Sequence, residues 1–470
     1  MTATLTRTCV TASADRALFY CFLAVLVWLP LPLGSNWAWA LVVMAIVTLA
    51  ISLLWLLQYL RGRVVVSDIL LRAWPLVAGL ALLVLWVNLQ AWSLPLPLLE
   101  ALSPAAFAIH GSVHSHPSLS LDVQATQEAA LKTLCYALIF CLTLLLVNTR
   151  ERIKLLVLVI IFSGVFQAAY GSLMTLSGLE YGFFIEKYAY RGVATGTFIN
   201  RNHLAGYLEM SLALGIGLML GQLATRSSTN WRDSARRLLR SLFSNKVLVR
   251  LALAIMVIGL VLTHSRMGNS AFFISLTITG LLYLGATRGF TRGSMVFFAS
   301  LLLIDLLIVS NFFGVEEVVQ RLQDTSSIAE IRDEMTRDTL AIIEDYPLTG
   351  IGVGSFQSVY PGYASKEIHL FLEHAHNDYA QFAAEFGVAG FVLLGLIVLL
   401  ALKSSLTALF KRRDPFMRGM GFGATMGIIA ILIHSAVDFN LQIPANAALF
   451  MVLLALAVIS EHFDRASSGR

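Results

Sequence analysis

The sequence WAWALVVMAIVTLAISLLWLL occupies residues 37–57 and contains no charged side chain. As an α-helix rising about 1.5 Å per residue, this run reaches across the roughly 30 Å hydrocarbon core of a bilayer. A helix satisfies its backbone hydrogen bonds internally, which the interior of a membrane requires. We therefore predict a membrane-spanning helix here, and the fold class depends on how often such runs recur.

Apolar runs of this kind recur along the whole chain. Of the 470 residues, 57% are hydrophobic and 13% are charged, and the mean hydropathy is +0.77. A soluble domain has roughly 45–50% apolar and 25% charged residues, so a soluble multidomain enzyme is excluded. We predict an all-α integral membrane protein in which residues 1–470 form a single polytopic domain. Twelve spans are expected near Ala17–Leu33, Trp37–Leu57, Ala73–Leu89, Ala129–Val147, Leu155–Leu176, His203–Leu223, Leu251–His264, Ala271–Leu284, Met295–Phe313, Gly387–Leu402, Gly419–Ala436 and Ala447–Ile459.

The basic residues predict how these spans are oriented. Of the 33 Lys and Arg residues, 20 lie in every second connection between spans, that is, on one side of the membrane. Among these connections, the basic segment 225–247 contains the largest number. Cytoplasmic loops of membrane proteins carry such an excess. We therefore expect segment 225–247 and both termini on the cytoplasmic side, with an uncleaved first span. The net charge of +5 reflects these loops, so nucleic-acid binding is not expected.

The longest connection on the opposite side comprises residues 314–386, between spans nine and ten. It is rich in acidic residues, and its apolar side chains follow one another mostly at three- and four-residue steps. This spacing predicts an amphipathic helix that ends at Asp345-Tyr346-Pro347. The apolar positions are Ile328, Ile331, Met335, Leu340 and Ile343.

Three arginines on this opposite side are candidates for a functional site. Arg191 and Arg201 flank a glycine-containing segment just ahead of a span, and Arg266 lies in the short turn Ser265–Asn269 between two spans. Charged side chains at the membrane are costly, so they are functional candidates. A guanidinium offers planar paired donors that suit phosphate oxygens, which predicts binding of a diphosphate. Anchoring to ordinary lipid headgroups is the alternative for each arginine.

A second candidate site is the sequence EHAHNDY at residues 373–379. The spacing of His374, His376 and Asp378 is compatible with metal binding. A neutral imidazole is also the usual group for taking a proton from a hydroxyl near neutral pH. The position of the segment at the membrane surface, opposite arginines rather than acids, favours the role of a base.

Four motifs on this side follow one another across about residues 185–395. They are the stretch from Arg191 through Gly196-Thr197-Phe198 to Asn200, Asn202 and Ala205, the Ser265-Arg266 turn, the Pro347–Gly352 loop, and His376-Asn377 followed by Gly387 and Gly390. In this order they resemble the O-antigen ligase and O-antigen polymerase family. Two positions depart from the family pattern, since Arg201 stands where proline is frequent and Met267 where glycine often follows the arginine.

The resemblance implies a C-type glycosyltransferase architecture in the bacterial inner membrane, with an active site that faces the periplasm. It implies that a glycan carried on undecaprenyl diphosphate is transferred to a hydroxyl group, with His376 as the general base. Arg191, Arg266 and Arg201 would bind the diphosphate and stabilise its charge. No metal and no cofactor are expected, and a single displacement would invert the anomeric centre. Supporting roles are expected for Asn377, Asn202, His374 and Tyr379.

Several acceptors remain open from the sequence. A ligase joins the glycan to lipid A core, an O-antigen or exopolysaccharide polymerase joins it to a second lipid-linked glycan, and a related branch of the family modifies proteins. A polysaccharide transporter, from a different functional class, also suits twelve spans. Against a transporter, few charged residues lie deep in the predicted spans, chiefly Glu209 and Asp305, and the halves show no relation. We expect an enzyme, with a ligase favoured slightly over a polymerase.

Overall fold

The computed structural model of the chain describes residues 14–110, 117–223, 245–287, 334–365 and 373–464. Most of these residues are helical, and one short antiparallel hairpin pairs Tyr181 with Glu186. The hairpin strands are β1 Tyr181–Gly182 and β2 Ile185–Glu186. The helices are α1 Arg16–Trp28, α2 Ala38–Leu60, α3 Asp68–Arg72, α4 Trp74–Ala91, α5 Leu96–Leu102, α6 Pro104–His110, α7 Val123–Leu146, α8 Arg150–Ser177, α9 Arg201–Leu223, α10 Asn245–Leu262, α11 Arg266–Thr287, α12 residues 334–345, α13 Phe356–Val359, α14 Asp378–Lys411, α15 Pro415–His434 and α16 Pro444–His462.

The described helices confirm an all-α membrane fold. Nine of them are long and apolar enough to cross a bilayer, and the shorter apolar helices Arg16–Trp28 and Val247–Leu262 fall on the first and seventh predicted spans. The ninth predicted span, Met295–Phe313, lies outside the described residues, together with Asp305. The basic segment 225–247 and the connection 314–386 are covered only in part, so the number of spans and their orientation remain predictions.

Helices α9 and α15 pack together with almost no space between their backbones. A Cβ atom on Gly217 would overlap the carbonyl oxygen of Gly419, and a Cβ atom on Gly423 would lie 2.8 Å from the Ala213 carbonyl oxygen. Small residues allow this close approach, which gains van der Waals contact between helices in a membrane. In the most apolar stretch of 18 residues, 94% of the residues of α9 and 89% of those of α16 are buried. These helices therefore form the centre of the bundle.

The amphipathic helix predicted in the connection 314–386 ends where expected, since α12 closes at residue 345. Met335 and Ile342 are buried in a small second core with Phe356 and Tyr360. The prediction was wrong for Leu340, which is 49% exposed. Ile342 takes the inward position because it lies seven residues, about two turns, after Met335. Ile328 and Ile331 lie outside the described residues.

Helix α14 begins at Asp378 rather than near Gly387, where the apolar run was predicted to start. Gly387 interrupts it with φ 63° and ψ 176°, a conformation essentially restricted to glycine. The carbonyl oxygens of Ala384 and Glu385 accept hydrogen bonds from the amides of Ile351 and Gly352, at 2.9 and 3.2 Å. The Pro347–Gly352 loop therefore pairs with the interrupted helix.

Side chains from α4 complete this junction. Gln90 Nε2 donates to the carbonyl oxygens of Thr349 and Glu385, at 2.7 and 2.9 Å. Trp86 Nε1 donates to the Phe386 carbonyl oxygen at 2.9 Å. Backbone groups released by the interruption are thus satisfied by protein, as the low-polarity environment requires.

A residue other than glycine held in such a backbone region usually costs about 1–3 kcal/mol. We expect Gly387→Ala to lower the free energy of unfolding by at least this amount. The added Cβ would also overlap the Leu348 carbonyl oxygen and lie 2.5 Å from the Gly350 amide nitrogen. Thermal unfolding of the detergent-purified protein measures this loss.

Gly395→Ala is the matched control in the same helix, because a Cβ there meets nothing within 4 Å. Alanine at this helical position is expected to be neutral or to stabilise by up to about 1 kcal/mol. Equal unfolding temperatures for the two variants would contradict the role given to the Gly387 junction.

Candidate active site

Residues 373–377 precede α14 and carry the two histidines singled out from the sequence. Asn377 caps the helix, and its side-chain oxygen accepts hydrogen bonds from the amides of Tyr379 and Ala380 at 3.0 and 3.1 Å. His376 has a φ of 50°, a left-handed conformation that is uncommon outside glycine. Strained backbone of this kind clusters at functional sites, which supports His376 as a candidate.

Three histidines surround the ring of Phe439. His374 stacks on it with ring centroids 4.5 Å apart, while His203 and His376 meet it edge-on at 4.6 and 4.7 Å. We call these four residues the Phe439 cluster. Its members come from three separate parts of the chain, so their proximity is not visible in the sequence.

Asp378 holds the histidine segment against the turn that carries Phe439. Its amide donates to the Ser435 carbonyl oxygen at 2.9 Å. Its carboxylate accepts hydrogen bonds from Ser435 Oγ at 2.8 Å and from the Leu441 amide at 3.1 Å. Asp378 is 1% exposed, so its position identifies it as a structural residue that joins the two segments.

His374 is oriented by Gln381 from the first turns of α14. Gln381 Nε2 lies 3.1 Å from His374 Nδ1 and also donates to Glu385 Oε1 at 3.1 Å. Burial, together with the neighbouring His203, lowers the pKa of His374 to about 3. The imidazole is therefore neutral at pH 7, with Nδ1 as the acceptor of the Gln381 amide.

Asp438 is a functional candidate that the sequence reasoning missed. Its Oδ1 lies 3.8 Å from His203 Nε2, and its Oδ2 accepts a hydrogen bond from Asn202 Nδ2. Burial acts to raise the pKa of Asp438, but His203, His434 and His376 outweigh burial, and the pKa lies below its usual range. The available signal was a carboxylate at the end of a predicted span, where charge is costly.

A cavity of about 250 Å³ opens beside the Phe439 cluster. Aromatic, amide and carboxylate side chains share its wall with the histidines, which gives it both apolar faces and hydrogen-bonding groups. The polar and aromatic residues that line it are Asn36, Tyr188, Tyr190, Asn200, His203, Glu373, His374, His376 and Phe439.

Arg191 follows the hairpin β1–β2 and is the next residue after Tyr190, which lines the cavity. Its Nε donates to the Lys187 carbonyl oxygen at 2.9 Å, and its guanidinium pairs with Glu186 at 2.6 Å. The Arg191 side chain is 60% exposed, so solvent and ligands can reach it. Beneath it, Lys187 Nζ pairs with Glu180 at 2.7 Å and fixes the loop.

Arg266 is the exposed first residue of α11. Ser265 caps this helix, since its Oγ accepts a hydrogen bond from the Gly268 amide at 3.1 Å. The preceding helix is tied to the Arg191 loop, because the Ala194 amide donates to the Leu262 carbonyl oxygen at 2.8 Å. The turn of Arg266 therefore lies beside the segment that lines the cavity.

Arg201 is the first residue of α9, and its guanidinium lies 5.9 Å from the ring centroid of Tyr190. Among the expected supporting residues, Asn202 binds Asp438, as described, and Tyr379 Oη donates to the Leu432 carbonyl oxygen at 2.7 Å. The structure thus brings the chain segments of all the candidates to one end of the bundle. Convergence of the three guanidinium groups on one ligand remains a prediction.

The side chains of His374, His376 and Asp378 are not arranged as a metal site. Within the described parts of the chain, no group of three or more His, Cys, Asp and Glu residues is arranged to hold a metal ion. Asp378 accepts hydrogen bonds from Ser435 and Leu441 instead.

Residues 251–395 match a family model described as O-antigen ligase. This match confirms the resemblance, and it includes three of the four motifs, namely the Ser265-Arg266 turn, the Pro347–Gly352 loop and the His376 segment. The segment 191–205 lies outside it. No curated protein matches the chain. The match and the apolar helices together support a multi-pass membrane protein of the glycan-transferring ligase and polymerase kind.

The neutral His374 generates a prediction about acid stability. Its pKa in the folded protein is about 3, whereas an unfolded histidine titrates near 6.5. Stability from this group is therefore complete above pH 6.5 and is lost as the pH falls below that value, by about 1.4 kcal/mol per pH unit. The His374→Asn variant keeps an acceptor for Gln381. Between pH 7 and pH 5, we expect its free energy of unfolding to fall by about 2 kcal/mol less than that of the wild type. Unfolding temperatures measured across this range check the difference, and parallel curves would refute it.

Proposed function

We propose that this protein is a glycosyltransferase of the O-antigen ligase type, which moves a glycan from undecaprenyl diphosphate to a hydroxyl group of lipid A core. The observation that carries the proposal is the cavity that His376 shares with Asn200 and with Tyr190, the residue that precedes Arg191. The family match over residues 251–395 supports it. In this proposal both termini are cytoplasmic, and the cavity faces the periplasm of the bacterial inner membrane.

In the proposed reaction, His376 accepts the proton of the acceptor hydroxyl. The oxygen of that hydroxyl attacks the anomeric carbon of the donor sugar. The bond from that carbon to the diphosphate oxygen breaks, and undecaprenyl diphosphate leaves with the electron pair. One displacement inverts the anomeric centre. A positioned base of this kind contributes roughly 10²–10⁴-fold to the rate.

The leaving group gains negative charge as the bond breaks. Arg191 and Arg266 are assigned to stabilise that charge, since guanidinium groups form paired, charge-assisted hydrogen bonds with phosphate oxygens. Arg191 would exchange its contact with Glu186 for the diphosphate. The proposed reaction needs neither a metal nor a cofactor, because diphosphate is already a good leaving group.

His376 is a better candidate base than His374. Gln381 lies within hydrogen-bonding distance of His374 Nδ1, and burial keeps the pKa of that imidazole near 3. A group with so low a pKa has little affinity for a proton taken from a hydroxyl. His374 is therefore assigned to hold the face of Phe439.

The same donor chemistry can serve more than one acceptor. An O-antigen or exopolysaccharide polymerase would use the same donor and the same residues, with a second lipid-linked glycan as the acceptor. Purified protein in liposomes, supplied with a lipid-linked glycan and either lipid A core or a second lipid-linked glycan, tests the choice by the product formed. Glycosylation of an added protein acceptor would indicate the protein-modifying branch, and movement of the glycolipid without covalent transfer would indicate a transporter.

We expect His376→Ala to reduce glycan transfer to below a tenth of the wild-type rate while the protein inserts and folds normally. The imidazole takes part in the proton transfer, whereas His203 and His374 keep their contacts with Phe439 when it is removed. Transfer measured by gel shift of the lipid A core product checks this expectation. His374→Asn is the milder matched change, and retained activity in His376→Ala would reject the role of His376 as the base.

Arg191→Ala and Arg266→Ala are each expected to lower transfer by about ten- to a hundredfold, because a hydrogen bond to a charged group contributes roughly 1.5–3 kcal/mol. Lysine at either position should restore activity only in part, since it keeps the charge and loses the paired donors. Arg201→Ala is expected to have the weakest effect of the three. Initial rates at subsaturating donor concentration measure these changes, and full activity of both alanine variants would contradict the assignment.

A further inference from the structure

Glu209 and His434 form a hydrogen-bonded pair inside the bundle. His434 Nδ1 lies 2.8 Å from Glu209 Oε1, and both side chains are completely buried. The pair joins α9 to α15, which are adjacent helices at the centre of the fold. Ionisable side chains within a membrane are costly and are therefore functional candidates. The reaction proposed above uses neither residue.

The Glu209 carboxylate borders the turn that carries Arg266. A Cβ atom on Gly268 would lie 3.2 Å from Glu209 Oε1 and 2.9 Å from Ser265 Oγ. Gly268 is in the first turn of α11, where helical amide groups have no partner within the helix and favour a nearby anionic group. A displacement of the Glu209 side chain therefore acts on backbone two residues from Arg266.

His434 borders the other half of the site. It is the last residue of α15 and is followed directly by Ser435, whose carbonyl oxygen and hydroxyl both bind Asp378. Asp378 in turn fixes the segment of His374 and His376. The pair therefore connects the arginine side of the candidate site with its histidine side.

The hydrogen bond between the two side chains has no substitute nearby. Glu209 Oε2 and His434 Nε2 are buried and have no hydrogen-bond partner among the described residues. Loss of the bond from Nδ1 to Oε1 would leave the carboxylate without a side-chain donor in the described interior. Such a buried group is strongly penalised, and its displacement would disturb the packing of Glu209 against Gly268 in the first turn of α11.

We infer that Glu209 and His434 are positioning residues, which hold the Arg266 turn and the histidine segment in the relative placement that diphosphate binding requires. This inference rests on the proposed function, because Arg266 is assigned to the donor diphosphate there. It adds two residues that act through Arg266 and do not touch the substrate.

The test compares two substitutions of His434. His434→Leu removes the donor and keeps an apolar side chain of similar reach, whereas asparagine in His434→Asn presents an amide donor near the position of Nδ1. We expect His434→Leu to weaken binding of undecaprenyl diphosphate to the detergent-purified protein, and to raise the donor KM, by about ten- to a hundredfold. His434→Asn should restore much of this affinity.

A double-mutant cycle separates positioning from a general structural role. If His434 acts through Arg266, adding His434→Leu to Arg266→Ala should weaken the binding of undecaprenyl diphosphate by less than about a further twofold. Adding it to Arg191→Ala should weaken binding by the full ten- to a hundredfold. An equal effect in both backgrounds would overturn the inference. Glu209→Gln, which preserves the shape of the side chain, provides a second cycle with the same criterion should His434→Leu fail to fold.

Asp15→Asn is the matched control. Asp15 and Arg152 form another buried ion pair, at 2.6 Å, at the end of α8 away from the Arg191 loop. Its loss is expected to lower the unfolding temperature without changing the donor KM. A wild-type protein that neither binds undecaprenyl diphosphate nor transfers glycan would overturn the proposed function itself. A wild-type protein that does both, with additive cycles, would overturn only the positioning role.

Discussion

The pairing of the Pro347–Gly352 loop with the interrupted helix α14 is the constraint on which the rest of the site depends. A backbone break within a membrane protein is tolerated only where protein groups satisfy the released amides and carbonyls. Here the loop and Gln90 meet that demand. The result fixes residues 378–386 as a short helical segment set off from the long span that follows. The position of this segment therefore determines where the histidines lie and where Asp378 contacts Ser435.

Much of the fold could be predicted because hydropathy is a local property of the chain. Eleven of the twelve predicted runs coincide with described apolar helices, and α12 ends where its pattern indicated. The start of α14 could not be predicted in the same way, because Asn377 begins the helix before its apolar run does. The hairpin β1–β2 was also missed, since its strands are only two residues long. Leu340 is exposed because it lies five residues after Met335, off the three- to four-residue spacing that keeps side chains on one face.

The candidate site was predictable only in its separate pieces. His376, Arg191 and Arg266 stand out as polar residues beside apolar runs, and the family motifs reinforce that signal. Phe439 and His203 carry no such signal, because an aromatic residue or a histidine at the end of a span is ordinary. Their importance comes from contacts across long sequence separations, such as His203 with Asp438. Glu209 was visible only as an isolated charge, and its partner His434 is 225 residues away.

The glycine contact between α9 and α15 has a consequence for how such a protein can diversify. Positions 217, 419 and 423 admit no larger side chain without separating the two helices, and that separation would disturb every residue at their ends. The cavity is bordered differently, by residues such as Asn36, Tyr188 and Glu373 that belong to connections rather than to the bundle. Sequence variation therefore meets the least structural resistance at this rim. The packing of the fold thus restricts substitutions in the interior of the bundle more than it restricts them in the connections at the border of the cavity.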